Sequence, residues 1–207
     1  MEPGDKVEVD VDGYVVDILR GDLIIEIQTA NFSAIARKMR DLVSRHQVRL
    51  VHPIPRDLWI VKLPQKKGGD VSRRKSPKHP NVVDVLAELV SFPELITHKN
   101  FQLDVLLTQE EELRIFDERK RWRRRGWVTV ERRLLEVCET VSLQSAADFL
   151  ALMPADLPEE FLTSDIASAI GRPRYLAQKV AYCLRKCGLI EQVGHEGNAI
   201  LYSKVAV

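Results

Sequence analysis

Residues 14–28 have the sequence YVVDILRGDLIIEIQ, which predicts a tight β-hairpin. Two apolar runs are separated by Gly21-Asp22, and glycine at the first position of a two-residue loop allows the left-handed conformation that such a turn needs. The second run is apolar on both faces apart from Glu26 and Gln28. A strand of that kind is typical of the centre of a covered sheet.

Further strands and one helix are predicted on either side of this hairpin. Residues 7–11 alternate between apolar and acidic side chains, which indicates a strand. Residues 32–45 keep apolar side chains at helical spacing, with Arg and Lys on the other side, and 48–54 and 58–63 are two short apolar strands. Strands, a helix and further strands therefore predict an N-terminal domain over residues 1–63.

The middle of the chain is predicted from composition and spacing. Residues 64–80 are Lys, Arg, Gly, Ser and Pro with almost nothing apolar, which predicts a mobile basic linker. Residues 81–145 are expected to be a mixed α/β segment, with a helix at 82–90 and a strand at 103–107. Residues 127–141 fit either a strand or a helix, and both alternatives stay open.

Residues 146–207 predict a C-terminal domain in which two helices precede a hairpin. Ser164 is expected to cap the first helix, Pro173 to open the second and Gly188 to end it. Two apolar runs then flank a glycine-rich loop at 194–198. This order resembles the winged helix-turn-helix family, and the resemblance implies DNA binding.

The second helix of this domain carries side chains suited to nucleic acid. Arg and Gln near the start of such a helix can reach base edges, while Lys is better placed for phosphates. The candidate DNA-binding residues are Arg172, Arg174, Gln178, Lys179 and Arg185. Because winged helices also serve as protein-interaction modules, docking of a protein on this helix is the alternative.

A second basic cluster spans residues 119–127 of the middle segment. Tryptophans accompany it, so phosphate contacts could combine with base stacking. The candidate DNA-binding residues of this cluster are Arg121, Arg123, Arg124 and Arg125. A turn whose cations pair with the acidic residues just before it, 110–112 and Asp117-Glu118, is an equally good interpretation.

The predicted hairpin brings two carboxylates together. A two-residue loop pairs Arg20 with Leu23 and therefore Asp17 with Glu26. Directly opposed like charges destabilise a strand pair unless a cation or a proton offsets them, and a divalent metal is an economical explanation. Gln28 is expected on the same face as Glu26 because side chains repeat with period two along a strand.

These residues resemble the PD-(D/E)xK nuclease superfamily, in which an Asp on one strand precedes (Asp/Glu)-x-Lys on the next, followed by a helix and another strand. The resemblance implies that Asp17, Glu26 and the carbonyl of Ile27 hold Mg²⁺, and that Asp17, Glu26 and Gln28 catalyse hydrolysis of DNA. Two departures exist: Gln28 replaces the Lys, and no helix precedes the first strand because the chain starts at Met1. A catalytically inactive DNA-binding regulator or assembly factor is therefore the alternative function.

Over its full length the chain also resembles uncharacterised bacterial proteins. The expected fold class is α+β: a restriction-endonuclease-like mixed sheet with a helix, an α/β middle segment and a C-terminal winged helix-turn-helix. The 31 Lys and Arg against 30 Asp and Glu give a net charge of +1, so any DNA footprint must come from local clusters.

Composition also limits the location and the cofactors of the protein. Three cysteines without paired-ligand spacing argue against a disulfide framework and against a zinc site. The absence of a long apolar run or a signal peptide predicts a cytoplasmic protein without a membrane partner. A homodimer is compatible with the sequence.

Overall fold

The computed structural model describes residues 2–65, 69–120 and 126–205, which form an α+β fold. The strands are β1 (Lys6–Val11), β2 (Tyr14–Arg20), β3 (Leu23–Ile27), β4 (Gln47–Lys62), β5 (Ser72–Lys75), β6 (Phe101–Phe116), β7 (Trp127–Leu143), β8 (Glu160–Phe161), β9 (Ile190–Glu196) and β10 (Ala199–Lys204). The helices are α1 (Ala36–Val43), α2 (Leu86–Leu89), α3 (Ala146–Leu150), α4 (Thr163–Ala169) and α5 (Arg174–Lys186), with 3-10 turns at Phe32–Ile35, Val82–Val85, Pro93–Thr97 and Glu118–Lys120.

The chain divides into two compact units, and neither is continuous in sequence. The first unit comprises Met1–His52, Val82–Val105 and Val141–Val207, and the second comprises Pro53–Asn81 and Leu106–Thr140. This division differs from the four consecutive segments expected from sequence, 1–63, 64–80, 81–145 and 146–207. Strands β4, β6 and β7 each begin in one unit and end in the other, so boundaries based on local composition could not find the units.

The large sheet has the strand order β1-β2-β3-β4-β6-β7, with β5 paired to β4. The predicted hairpin is confirmed: Arg20 lies opposite Leu23 and Ile18 opposite Ile25, and Gly21 in the turn has a φ of 56°. Strand β3 pairs in parallel with β4, and α1 lies in the connection between them. Parallel neighbours need such a crossover connection.

In the first unit the core forms between this sheet and the helices that cover it. The apolar side of α1 contributes Met39, Leu42 and Val43, all fully buried, and the sheet contributes Val16 and Ile24. The helix predicted over 32–45 is thus confirmed, with its first turn in 3-10 form. None of the helices in the described residues combines the length and the apolar content needed to cross a membrane.

In the second unit, two predictions need revision and one open alternative is resolved. The two short strands expected at 48–54 and 58–63 are one continuous strand, β4, of which the portion after His52 lies in this unit. Part of the expected basic linker is strand β5, because backbone pairing with β4 needs no apolar side chains. The guanidinium of Arg73 in β5 also stacks on Trp59 of β4, 3.9 Å from the centre of its ring. The segment left open at 127–141 is strand β7.

The C-terminal residues form the predicted helices and hairpin, with different details. Helix α4 begins at Thr163, where the Asp165 carboxylate accepts a 2.7 Å hydrogen bond from the amide of Leu162, so the expected cap at Ser164 is wrong. Helix α5 follows a turn at Gly171, whose φ is 62°. Strands β9 and β10 are joined by only Gly197 and Asn198, and the small sheet has the order β8-β10-β9.

Helix α5 also explains why the C-terminal residues do not stand apart as a domain. Its apolar side chains, among them Leu176, Val180 and Leu184, are buried. Helix α5 contacts α2, and the Cys183 thiol lies 3.3 Å from the carbonyl oxygen of Leu86. The core of the first unit therefore includes α5, although α5 and the N-terminal strands are far apart in sequence.

Candidate nucleic-acid interface and carboxylate cluster

Helix α5 presents one exposed side, which we call the outer face. Its buried residues occupy one side of the helix, so the residues between them project outward. The outer face comprises Arg174, Tyr175, Gln178, Tyr182, Arg185 and Lys186. It combines three cations, an amide and two phenol rings, with Tyr175 64% exposed. Side chains of this kind suit contacts to phosphates and to base edges.

Two of the candidate DNA-binding residues make contacts within the first unit: Arg172 is largely buried in an ion pair, whereas Lys179 is exposed and makes one contact. The Arg172 guanidinium pairs with the Asp84 carboxylate at 2.7 Å, and its side chain is only 19% exposed. The Lys179 ammonium lies 3.5 Å from the carbonyl oxygen of Ala87. Arg172 helps to hold α5 against the segment 82–89. Arg174, Gln178 and Arg185 lie on the outer face, and Lys179 is also exposed.

A cleft lies between α5 and the β9–β10 hairpin. It has a volume of about 190 Å³ and is lined by Thr163, Arg174, Gln178, Asn198 and Ile200, among others. Two outer-face side chains therefore lie beside the hairpin turn. The start of the helix and the turn together form one polar surface.

Sequence reasoning missed the tyrosines of the outer face. Tyr175 and Tyr182 are exposed by 64% and 39%, which is unusual for large aromatic side chains on a helix that packs into a core. Tyr175 and Tyr182 do not share the helical spacing of the buried Leu176, Val180 and Leu184. Helical periodicity alone would therefore have predicted that both tyrosines are exposed.

The second basic cluster is described only at its ends. Arg121, Arg123, Arg124 and Arg125 lie outside the described residues. At the described ends, Arg119 pairs with Asp117 at 3.3 Å, and the ammonium of Lys62 lies 4.3 Å from the ring centre of Trp127.

The acidic residues 110–112 pair with arginines that do not belong to the second basic cluster. Glu110 and Glu112 pair with Arg132 at 3.6 and 3.1 Å, and Glu111 pairs with Arg73 at 2.9 Å. Glu112 also pairs with Arg114 of β6 at 2.7 Å, so the partners of these acids are arginines of β5, β6 and β7.

The carboxylate pair predicted from the hairpin register lies at the end of the β2–β3 ladder. Asp17 accepts a 2.7 Å hydrogen bond from the amide of Ile27, and the Glu26 side chain is buried. The charge on Asp17 influences Glu26, since it is one of the causes that raise the pKa of Glu26. The two groups are therefore neighbours, as the register predicted.

Lys38 of α1 supplies a cation that sequence reasoning did not identify. Its ammonium lies 2.6 Å from Glu26 Oε1 and donates a 2.6 Å hydrogen bond to the carbonyl oxygen of Val15. Burial raises the pKa of Glu26; the Lys38 ammonium opposes this, and the net result is a raised pKa. We call Asp17, Glu26 and Lys38 the carboxylate–lysine cluster. Lys38 offsets the opposed charges that sequence reasoning had attributed to a metal.

Gln28 does not join this cluster, which corrects the prediction of three converging polar groups. Strand β3 ends at Ile27, so the alternation of side chains stops there. The Gln28 side-chain amide donates instead to the carbonyl oxygen of Ala30, and the main-chain carbonyl oxygen of Gln28 lies 2.6 Å from Nδ1 of His52. Across the parts of the chain that the structure describes, no group of three or more His, Cys, Asp or Glu side chains is placed to hold a metal ion.

Comparison with known proteins identifies relatives without assigning an activity. The family DUF8091, a domain of unknown function, matches residues 1–144. An uncharacterised protein of Treponema pallidum (strain Nichols) is 27% identical over 202 residues, which cover 97% of this chain and 79% of that protein. No solved structure matches the chain.

Proposed function

The chain belongs to the DUF8091 family, and we propose that it binds duplex DNA through the outer face of α5. In this proposal the C-terminal elements form a winged helix, with α5 as the recognition helix and the β9–β10 hairpin as the wing. The observation that carries the proposal is the exposure of Arg174, Gln178 and Arg185 along one side of a helix whose other side is buried.

The order and pairing of the C-terminal elements support this interpretation. Helix α4, a glycine-containing turn and α5 follow one another, as in a helix-turn-helix. The short strand β8 pairs with β10, which also pairs with β9, so a small sheet accompanies the two helices. The cytoplasm, where bacterial DNA lies, is the location that this function implies.

Each outer-face residue suits a particular contact. Arg174 and Gln178 lie in the first half of α5, where the positive end of the helix attracts phosphate and side chains reach base edges. Arg185 and Lys186 lie at the other end of α5, where they suit phosphates. Tyr175 and Tyr182 add hydroxyl groups that can donate to phosphate oxygens.

Paired substitutions test this assignment. Arg174→Ala combined with Arg185→Ala removes two outer-face cations, while Arg37→Ala combined with Lys99→Ala removes two exposed cations elsewhere in the same unit. Fluorescence anisotropy with a labelled duplex should show that the Arg174→Ala, Arg185→Ala double variant binds DNA at least tenfold more weakly than the native chain. This is the effect expected because the loss of one base-reading arginine costs about 1–3 kcal/mol. The control pair should have a small effect. Equal DNA affinities of the two double variants would instead indicate that α5 is a protein-interaction module.

A second candidate function is Mg²⁺-dependent hydrolysis of DNA. The supporting observation is that Asp17 on β2, Glu26 on β3 and Lys38 on α1 meet in a β2–β3–α1–β4 arrangement in which β3 and β4 are parallel. This arrangement agrees with the order of elements in PD-(D/E)xK nucleases. Lys38 supplies the cationic group that Gln28 does not.

The donor types fit the ion that the resemblance implies. Asp17, Glu26 and the Ile27 carbonyl would supply hard oxygen ligands, the kind that Mg²⁺ prefers. A bound Mg²⁺ would lower the pKa of a water molecule and stabilise charge on the scissile phosphate. Lys38 would hold its ammonium beside the Glu26 carboxylate, and the Ile27 amide would fix the orientation of Asp17.

Plasmid nicking with Mg²⁺ or Mn²⁺ separates this candidate from a catalytically inactive DNA-binding regulator or assembly factor. If the protein is a nuclease, Asp17→Asn and Lys38→Met should each abolish nicking, while Asp22→Asn in the exposed turn should leave it unchanged. Intact plasmid at all metal concentrations, with DNA binding retained, would favour the inactive factor.

A further inference from the structure

Strand β7 is the last strand at one side of the large sheet in the part of the chain that the structure describes. Its segment 130–137 is exposed on both faces. Four apolar side chains in this segment, Val130, Leu134, Leu135 and Val137, are between 43% and 60% exposed. A long edge strand with exposed apolar side chains is a template for pairing with another strand.

Strand β7 lacks the backbone features that usually block such pairing. Its sequence from Trp127 to Leu143 contains no proline and no glycine, and it has no residue with positive φ. By contrast, β1 at the other end of the strand order contains Glu8 with a φ of 53°, which interrupts its pairing. Of the two strands at the ends of the strand order, β7 is thus the more suitable for adding a strand.

We propose that β7 pairs antiparallel with β7 of a second copy of this chain, with Leu134 of each copy at the centre. This proposal is independent of DNA binding. Its geometry follows from symmetry: a two-fold axis normal to the sheet relates the two strands, so the pairing must be centred on a residue rather than between two residues.

Among pairings centred on residues 132–136, the charges of β7 favour Leu134. Pairing centred on Arg132, Arg133 or Glu136 would place that charged residue opposite its own copy, and pairing centred on Leu135 would place Glu131 opposite Glu139. These arrangements are destabilising, because like charges directly opposite repel.

Pairing centred on Leu134 places opposite charges together. Arg132 of each copy then faces Glu136 of the partner subunit, so the complementary pair forms twice. Val130 faces Cys138, and the two Leu134 side chains meet. The Arg132 side chain is 51% exposed while it contacts Glu112 at 3.1 Å, so it has room for a second carboxylate on its open side.

The first test measures the association of the full chain by analytical ultracentrifugation. We expect a dimer, and we expect Glu136→Arg to raise its dissociation constant by at least on the order of tenfold, because two attractive pairs become repulsive. Glu139→Arg is the matched control on the same strand, since Glu139 would face the uncharged Thr129. A monomer at every concentration, or equal effects of the two substitutions, would overturn the proposal.

The second test fixes the register by cross-linking. Under oxidising conditions, Leu134→Cys should form a disulfide between copies, because directly opposite Cβ atoms lie close enough for one. Leu135→Cys should not, because each Leu135 would face Arg133. Cross-linking of Leu135→Cys and not of Leu134→Cys would overturn the proposed register, and the unsubstituted chain controls for the native cysteines.

Discussion

Glu112 is a buried carboxylate whose contribution to stability should depend strongly on pH. It lies in β6 with its side chain 4% exposed, where it accepts hydrogen bonds from Thr129 at 2.5 Å, Arg114 at 2.7 Å and Arg132 at 3.1 Å. Burial alone would raise its pKa. The hydroxyl and the two guanidinium groups more than offset burial and lower the pKa of Glu112 from 4.5 to about 2.

The size and the sign of the effect follow from this shift. A lowered pKa stabilises the folded state at pH values above the unfolded pKa of 4.5, and this stabilisation is lost as the pH falls toward about 2. A difference of about 2.5 pKa units corresponds to about 3 kcal/mol. Glu112→Gln should therefore lower the free energy of unfolding by about 3 kcal/mol at pH 7.

Urea unfolding at pH 7, 5.5, 4.5 and 3.5 measures this difference. The gap between the native protein and Glu112→Gln should be constant above about pH 5 and should shrink below pH 4.5. Glu196→Gln, which changes an exposed carboxylate in β9, controls for general effects of charge removal. The reasoning would be refuted if Glu112→Gln and the native protein differed by the same amount at every pH.

Three further substitutions test the packing of the first unit. Leu184→Ala removes a fully buried side chain of α5 and should cost about 2–5 kcal/mol in urea unfolding, whereas Lys186→Ala on the outer face should cost under about 0.5 kcal/mol. Arg172→Ala should lower stability by about 1 kcal/mol and leave DNA affinity unchanged, because Arg172 pairs with Asp84; a loss of affinity equal to that of Arg174→Ala would contradict this. Lys38→Met should raise the pKa of Glu26 further, so that this variant loses more stability than the native protein as the pH rises above 4.5, the ordinary pKa of a glutamate, and a flat profile would contradict the role of Lys38.

Features encoded locally were predictable from the sequence. The β2–β3 hairpin follows from Gly21 between two apolar runs, and its register brought Asp17 and Glu26 together. The order of helices and hairpin in the C-terminal region follows from Pro173, Gly188 and the apolar spacing of α5.

Features that depend on distant contacts were not predictable from one sequence. Lys38 reaches Glu26 because α1 packs on the sheet, and Arg172 turns to Asp84 because α5 packs on the segment 82–89. Strand β7 was ambiguous because its apolar spacing suits a helix, whereas pairing with β6 makes it a strand. Ending the chain near Pro158 would remove α4 and α5 and would expose the core side chains that α5 covers. Substitutions on the outer face are therefore a better test of DNA binding than such a truncation.

The salt dependence of DNA affinity tests the central claim most directly. Each phosphate contact releases condensed counterions, so the slope of log affinity against log salt concentration counts such contacts, at about 0.9 for each contact. The native chain should show a steep slope. Arg174→Ala combined with Arg185→Ala should lower the magnitude of the slope by about 1–2. Arg37→Ala combined with Lys99→Ala should leave the slope unchanged. An unchanged slope for the first pair would contradict the claim that the outer face of α5 binds DNA.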